Sequence, residues 1–216
     1  MHQPNSRMPV LLTLLVLALA FVSPGCTNEP DQMARTQPLQ QHTPENEFAF
    51  FPVGGPSDRI AYVIDRSASM GQTLEPVKQE LKRSLNALKP NQMFYVVFYS
   101  SGPAVEVPGA SMLPATQPNK LAACEFIDSI KPAGQTQPVD AIKRAFDVKP
   151  TLVYVMTDGE FKRSVIDLID QLNPEREVIV NTFCVVYNSG EQVMREIARR
   201  NGGAYTHVTR SDLDKP

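Results

Sequence analysis

The sequence predicts an α/β domain, a three-layer sandwich with helices on both faces of a mainly parallel sheet. Short unbroken apolar runs recur from Arg59 onward, the signature of strands covered on both faces. Between these runs, apolar residues repeat at helical spacing. Such alternation requires crossover connections, which make neighbouring strands parallel.

The first strand is Ile60 to Ile64. Leu74, Val77, Leu81, Leu85 and Leu88 then mark one stripe of a helix. Met93 to Tyr99, dense in aromatic and β-branched residues, is the second strand, and Ala104 to Val107 is a short edge-strand candidate. Leu121 to Ile130 is a helix candidate, and Val139, Ile142 and Phe146 lie on one side of another. Leu152 to Met156 repeats the buried-strand pattern, followed by helical spacing at Val165, Leu168, Ile169 and Leu172. Val178 to Tyr187 is a long strand candidate, and Val193, Met194, Ile197 and Ala198 form the last helical stripe. Asn201-Gly202-Gly203 ends that helix before a final strand, Ala204 to Val208.

The flanks divide the chain further. Val10 to Val22 is apolar except for Thr13, too short for a comfortable bilayer span but suited to the core of an export signal. Ala18-Leu19-Ala20 offers ordinary cleavage. Gly25-Cys26 resembles the end of a bacterial lipoprotein signal, which would make Cys26 a lipidated first residue. Eight of the 19 prolines fall before residue 58. The stretch to about Glu47 is rich in Pro, Gln and Thr without apolar periodicity, a composition that cannot offset chain entropy by burial. The expected organisation is a signal over 1–25, a Pro/Gln-rich tether over 26–57, the domain over 58–209 and a tail over 210–216. Phe48, Phe50 and Phe51 interrupt the tether and suit an edge strand or a clip on the domain. Cys124 and Cys184 are a pair that an exported protein can oxidise, but both lie in apolar surroundings and read first as buried free thiols.

Lys plus Arg total 21 against 23 Asp plus Glu, a formal charge of -2, which argues against a nucleic-acid partner. No nucleophile elbow, phosphate loop or dinucleotide loop is present. His207 reads as a structural or surface residue, so no catalytic residue is assigned.

In sheets of this class ligands bind beyond the carboxyl ends of the strands. Asp65 ends the first predicted strand and Asp158 ends the run Leu152 to Thr157, so parallel neighbours would put both carboxylates on one rim. After Asp65 come Ser67 and Ser69, oxygen donors at alternate positions that an extended loop turns the same way. With no His or Cys in the group, zinc and copper are disfavoured. Carboxylates and hydroxyls suit Mg2+ or Mn2+. A metal held mainly by neutral hydroxyls stays electrophilic and favours an anionic oxygen from outside. Each residue alone also fits helix capping or a turn.

Asp65-x-Ser67-x-Ser69-Met70 resembles the metal-ion-dependent adhesion motif of von Willebrand factor type A domains. Gly134-Gln135-Thr136 resembles that family's threonine loop, and Leu152 to Glu160 its second aspartate strand. Asn201-Gly202-Gly203-Ala204-Tyr205 resembles its last helix-to-strand passage. The likeness spans about Arg59 to Val208. It implies a Rossmann-like sheet with one short antiparallel edge strand. It also implies a metal held by the Ser67, Ser69 and Thr136 hydroxyls, with Asp65 and Asp158 direct or through water. A partner protein would supply an acidic side chain, with Gln135, Gly159 and Glu160 on the rim. Ala68 and Gln135 stand where glycine is common in the family, and neither removes a ligand. The implied function is a non-enzymatic, metal-dependent protein-binding module on a cell envelope. A metal-free envelope scaffold is the alternative. A phosphohydrolase built on Asp65 is disfavoured, because Ser67 stands where such enzymes carry a second acid.

Overall fold

A computed structural model describes Phe51 and residues 57–214. The strands are β1 (Arg59–Asp65), β2 (Met93–Tyr99), β3 (Val105–Glu106), β4 (Leu113–Pro114), β5 (Leu152–Thr157), β6 (Ile179–Val185) and β7 (Tyr205–Val208). The helices are α1 (Leu74–Ala87), α2 (Gln117–Ser129), α3 (Val139–Asp147), α4 (Ser164–Leu172), α5 (Glu191–Arg200) and α6 (Arg210–Leu213). The sheet runs β3-β2-β1-β5-β6-β7, with β2, β1, β5, β6 and β7 parallel.

The chain leaves β1 towards β2 and later returns to lay β5 on the other side of β1. Right-handed crossovers put helices of the two directions on opposite faces. Side chains confirm it: Tyr62, on one face of β1, meets Ser84 of α1 at 2.9 Å. Thr182, on the opposite face, donates to the Met194 carbonyl of α5 at 2.8 Å. The reversal between β1 and β5 opens the crevice where sheets of this class take ligands.

Most expected elements appear within a residue or two. Beyond the predicted antiparallel edge strand, β3 on Val97 and Phe98, a second short piece, β4, pairs antiparallel with Met93 and Phe94. Two residues carry too little pattern for β4 to be read in advance. Helix α2 begins four residues before the expected Leu121. Pro118 suits a first turn, where its missing N–H is no loss, but the turn is polar and hides the start. Val139 is 45% exposed although Ile142 and Phe146 of the same helix are buried, because it opens α3 at the rim. Strand β6 stops at Val185, short of Tyr187, because Val186 has φ +62. Cys184 is buried, but Cys124 is only half-buried; both are free thiols. Residues 210–213, read as tail, form α6, capped by Thr209 and Asp212 and anchored by buried Leu213.

Phe51 takes the role of the clip. It is fully buried against Tyr62, Tyr154 and Phe183, with ring centroids 5.3–5.4 Å apart. Phe48, Phe50, Cys26 and the expected export segment lie outside the described residues. Among the described residues no helix is long and apolar enough to cross a membrane.

Helices α1 and α2 exchange lysine caps. Lys78 of α1 is 1% exposed and donates to the Asp128 and Ile130 carbonyls at the end of α2, at 3.2 and 3.3 Å. Lys120 of α2 donates to the Asn86 and Leu88 carbonyls at the end of α1, at 2.9 and 2.6 Å. An ammonium there satisfies carbonyls that have no intrahelical donor and meets the negative end of the helix dipole.

Candidate metal centre

The register between β1 and β5 pairs Ile64 with Met156, so Asp65 and the Thr157–Asp158 corner leave the sheet at one level. Asp65 is fully buried, and both of its oxygens are held. Oδ1 accepts the Ser67 backbone N–H at 2.7 Å, and Oδ2 accepts the Thr157 hydroxyl at 2.7 Å. The first bond folds the loop tightly enough to bring the Ser67 and Ser69 hydroxyls together, 3.0 Å apart. Ser69 donates to Asp158 Oδ1 at 2.8 Å, and Thr136 donates to the Ser67 hydroxyl at 3.3 Å. The five expected residues are therefore gathered in one hydrogen-bonded group drawn from three loops.

Capping does not account for these hydroxyls. Ser67 precedes a 3-10 turn (Ala68–Gln72) without capping it, and Thr136 lies three residues before α3, whose cap position is Pro138. Thr136 thus sits in the loop ahead of the helix rather than opening it.

Asp158 Oδ2 is buried and has no hydrogen-bond partner. Burial raises the Asp158 carboxyl above its usual value of 3.8, and the Asp65 charge adds to the effect. Burial likewise raises Asp65, against opposing hydrogen bonds from Ser67 and Thr157. Two desolvated carboxylates, one with a bare oxygen, beside three hydroxyls make a donor set that fits a hard divalent cation. Among the described residues no group of three or more His, Cys, Asp or Glu is arranged for a metal, so two carboxylates with hydroxyls remain the donor chemistry on offer.

Two supporting residues were not singled out in advance. Thr157 accepts the Gly159 backbone N–H at 2.9 Å while donating to Asp65, tying the two acidic loops together. Its signal is its position level with Asp65, visible only once the β1–β5 pairing is known. Ser101 accepts from the Gln135 N–H at 3.1 Å and packs under Gly134, whose φ of +72 favours glycine. A Cβ at Gly134 would come 2.5 Å from the Ser101 hydroxyl oxygen. Backbone bonds from Ala68 to Gly134 (2.9 Å) and from Ala133 to Arg66 (2.8 Å) zip the first two loops together. On the rim, Gln135 and Glu160 are exposed and Gly159 is half-buried. His207 is exposed, with Nε2 3.2 Å from the Val186 carbonyl oxygen, away from the group.

Replacing Thr157 with valine keeps the shape and removes both the hydroxyl donor to Asp65 Oδ2 and the acceptor of the Gly159 N–H. Partners of this kind typically contribute ten- to a hundredfold to metal affinity. Calorimetric Mg2+ titration of T157V should show a loss of roughly that size.

Comparison with known proteins agrees with this architecture. The profile of the von Willebrand factor type A domain matches residues 58–207. Inter-alpha-trypsin inhibitor heavy chain H1 of Mesocricetus auratus is 30% identical over 148 residues, which cover 62% of this chain and 16% of that protein. Among solved structures, a von Willebrand factor type A protein from Catenulispora acidiphila superposes with a TM-score of 0.64 at 21% identity, covering 73% of this chain and 40% of that one. Proximal thread matrix protein 1 of the mussel byssus gives 0.58 at 22% identity, covering 72% and 42%. This chain belongs to the von Willebrand factor type A domain family, a family of protein-interaction modules.

Proposed function

We propose that the domain binds a protein partner through a divalent cation, Mg2+ or Mn2+, held by Asp65, Ser67, Ser69, Thr136 and Asp158. The observation that carries this reading is the bare, buried Asp158 Oδ2 beside a second desolvated carboxylate. A buried carboxylate oxygen without a donor costs about 1–3 kcal/mol or more, and a cation removes that penalty. The cation supplies an electrophilic position for a carboxylate oxygen of the partner. Asp65 and Asp158 offset its charge, and the three hydroxyls solvate it without quenching it. Thr157 and the Ser67 N–H hold Asp65 in place. Gln135, Gly159 and Glu160 border the opening and shape what reaches it. In this reading the hydroxyls serve as ligands and the chemistry is binding rather than turnover.

Calorimetry with Mg2+ and Mn2+, followed by capture of partners in Mg2+ against chelator, tests the proposal directly. Absence of any metal heat would leave the metal-free scaffold.

The apolar run Val10 to Val22, with Gly25-Cys26 just after it, supports a place on the cell envelope, with the domain carried on a lipid at Cys26. Cys26→Ser should move the protein from the detergent fraction to the soluble fraction and abolish labelling with a radioactive fatty acid. Unchanged fractionation and labelling would rule out the lipid anchor.

A further inference from the structure

The connection between β6 and α5, residues 186–190, supplies none of the metal-holding side chains, yet it presses on the loop that does. Gly190 is buried against Gly159, the residue after Asp158. A Cβ at Gly190 would come 2.6 Å from the Gly159 carbonyl oxygen and 3.7 Å from Cys184 Sγ. Gly159 in turn lies against Thr136, where a Cβ would come 2.9 Å from the hydroxyl oxygen. Three loops are thus stacked, and no side chain lies between Gly190 and the Gly159 backbone. A displacement of Gly190 has no compressible atom to absorb it before it reaches Asp158.

Gly190 is the cap residue of α5, its carbonyl accepting the Met194 N–H at 3.0 Å, and a strained turn lies four residues before it. Val186 has φ +62, a conformation that a β-branched residue rarely adopts. The Tyr187 N–H donates to the Val185 carbonyl at 2.7 Å across it, closing a γ-turn. Strain of this kind persists only where the surroundings fix it. Here β7 does so: the Val186 N–H donates to the Val208 carbonyl at 2.7 Å, and His207 Nε2 lies 3.2 Å from the Val186 carbonyl oxygen.

We infer that residues 186–190 are a positioning element for the cation site, with Gly190 the residue that sets Asp158 through Gly159. The inference rests on the metal reading above. It also requires the coupling to run both ways, because two linked sites must affect each other equally. An ion that fixes Asp158 and Gly159 also steadies the connection that roofs Cys184.

The test uses the full chain with Mg2+ as the probe. Gly190→Ala is expected to weaken calorimetric Mg2+ affinity at least tenfold. Val186→Gly, which relieves the turn, is expected to weaken it while leaving the metal-free melting temperature close to wild type. A purely structural role would change melting and leave affinity alone. In wild type, alkylation of Cys184, followed by peptide-resolved mass spectrometry, should slow several-fold in Mg2+ and recover in chelator. Wild-type affinity in both variants, with a Cys184 rate indifferent to Mg2+, overturns this inference and spares the metal reading. No Mg2+ binding to wild type overturns both.

Discussion

Asp158→Ala is expected to remove the whole thermal shift that Mg2+ gives the wild-type domain. At a hundredfold excess over the dissociation constant, binding to the folded state alone stabilises by about 2.7 kcal/mol. For a domain of this size that corresponds to roughly 5–10 °C in melting temperature. The substitution deletes the unpartnered Oδ2 and the acceptor of the Ser69 hydroxyl together. The metal-free protein should not suffer in proportion. Burial and the neighbouring Asp65 charge both raise the Asp158 carboxyl, so the ionised form costs stability at neutral pH. Asp158→Asn, which keeps the volume and removes the charge, should melt at or above the wild-type temperature without metal and show no Mg2+ response. Equal Mg2+ shifts in wild type and both variants would remove the cation from the account.

Phe51→Ala should produce the largest loss of stability from outside the expected domain limits. The ring is fully buried and makes edge or tilted contacts with three aromatic rings from β1, β5 and β6. Truncating a buried phenylalanine typically costs 3–5 kcal/mol, from lost transfer energy and the cavity left behind. The melting temperature should fall by about 6–20 °C. Phe51→Leu should recover much of the loss by refilling the space. A chain beginning at residue 58 should behave like Phe51→Ala; if it melts like wild type, Phe51 only rests on the domain. The Mg2+ response should survive in every one of these variants, because the cluster lies away from the loops that carry Asp65 and Asp158.

The architecture was legible because buried parallel strands have a local signature, and Ile60 to Ile64, Met93 to Tyr99 and Leu152 to Met156 each show it. The five oxygen-bearing residues were legible because three sit in one short motif, Thr136 follows a glycine-led loop and Asp158 comes directly after a buried strand. What escaped notice depends on pairing between distant segments. Thr157 supports Asp65 only through the β1–β5 register, and Ser101 matters only because Gly134 folds onto it. Valine and tyrosine favour strands, so Val186 and Tyr187 carry a strand pattern, and the positive φ at Val186 goes with its bond to β7. Periodicity groups Val139 with Ile142 and Phe146 on one side of a helix, and does not see where that helix meets the open rim.

The exchanged lysines of α1 and α2 limit how the first acidic loop can move. Sliding either helix along its axis by one turn would tear Lys78 and Lys120 from the opposite ends at the same moment, leaving Lys78 only Glu75 of its own helix. Shear between the pair is therefore blocked, and α1 travels only with α2 as one rigid slab. Since α1 continues directly from the loop that begins at Asp65, any rearrangement there must be a local rotation of the loop itself or a swing of the whole slab.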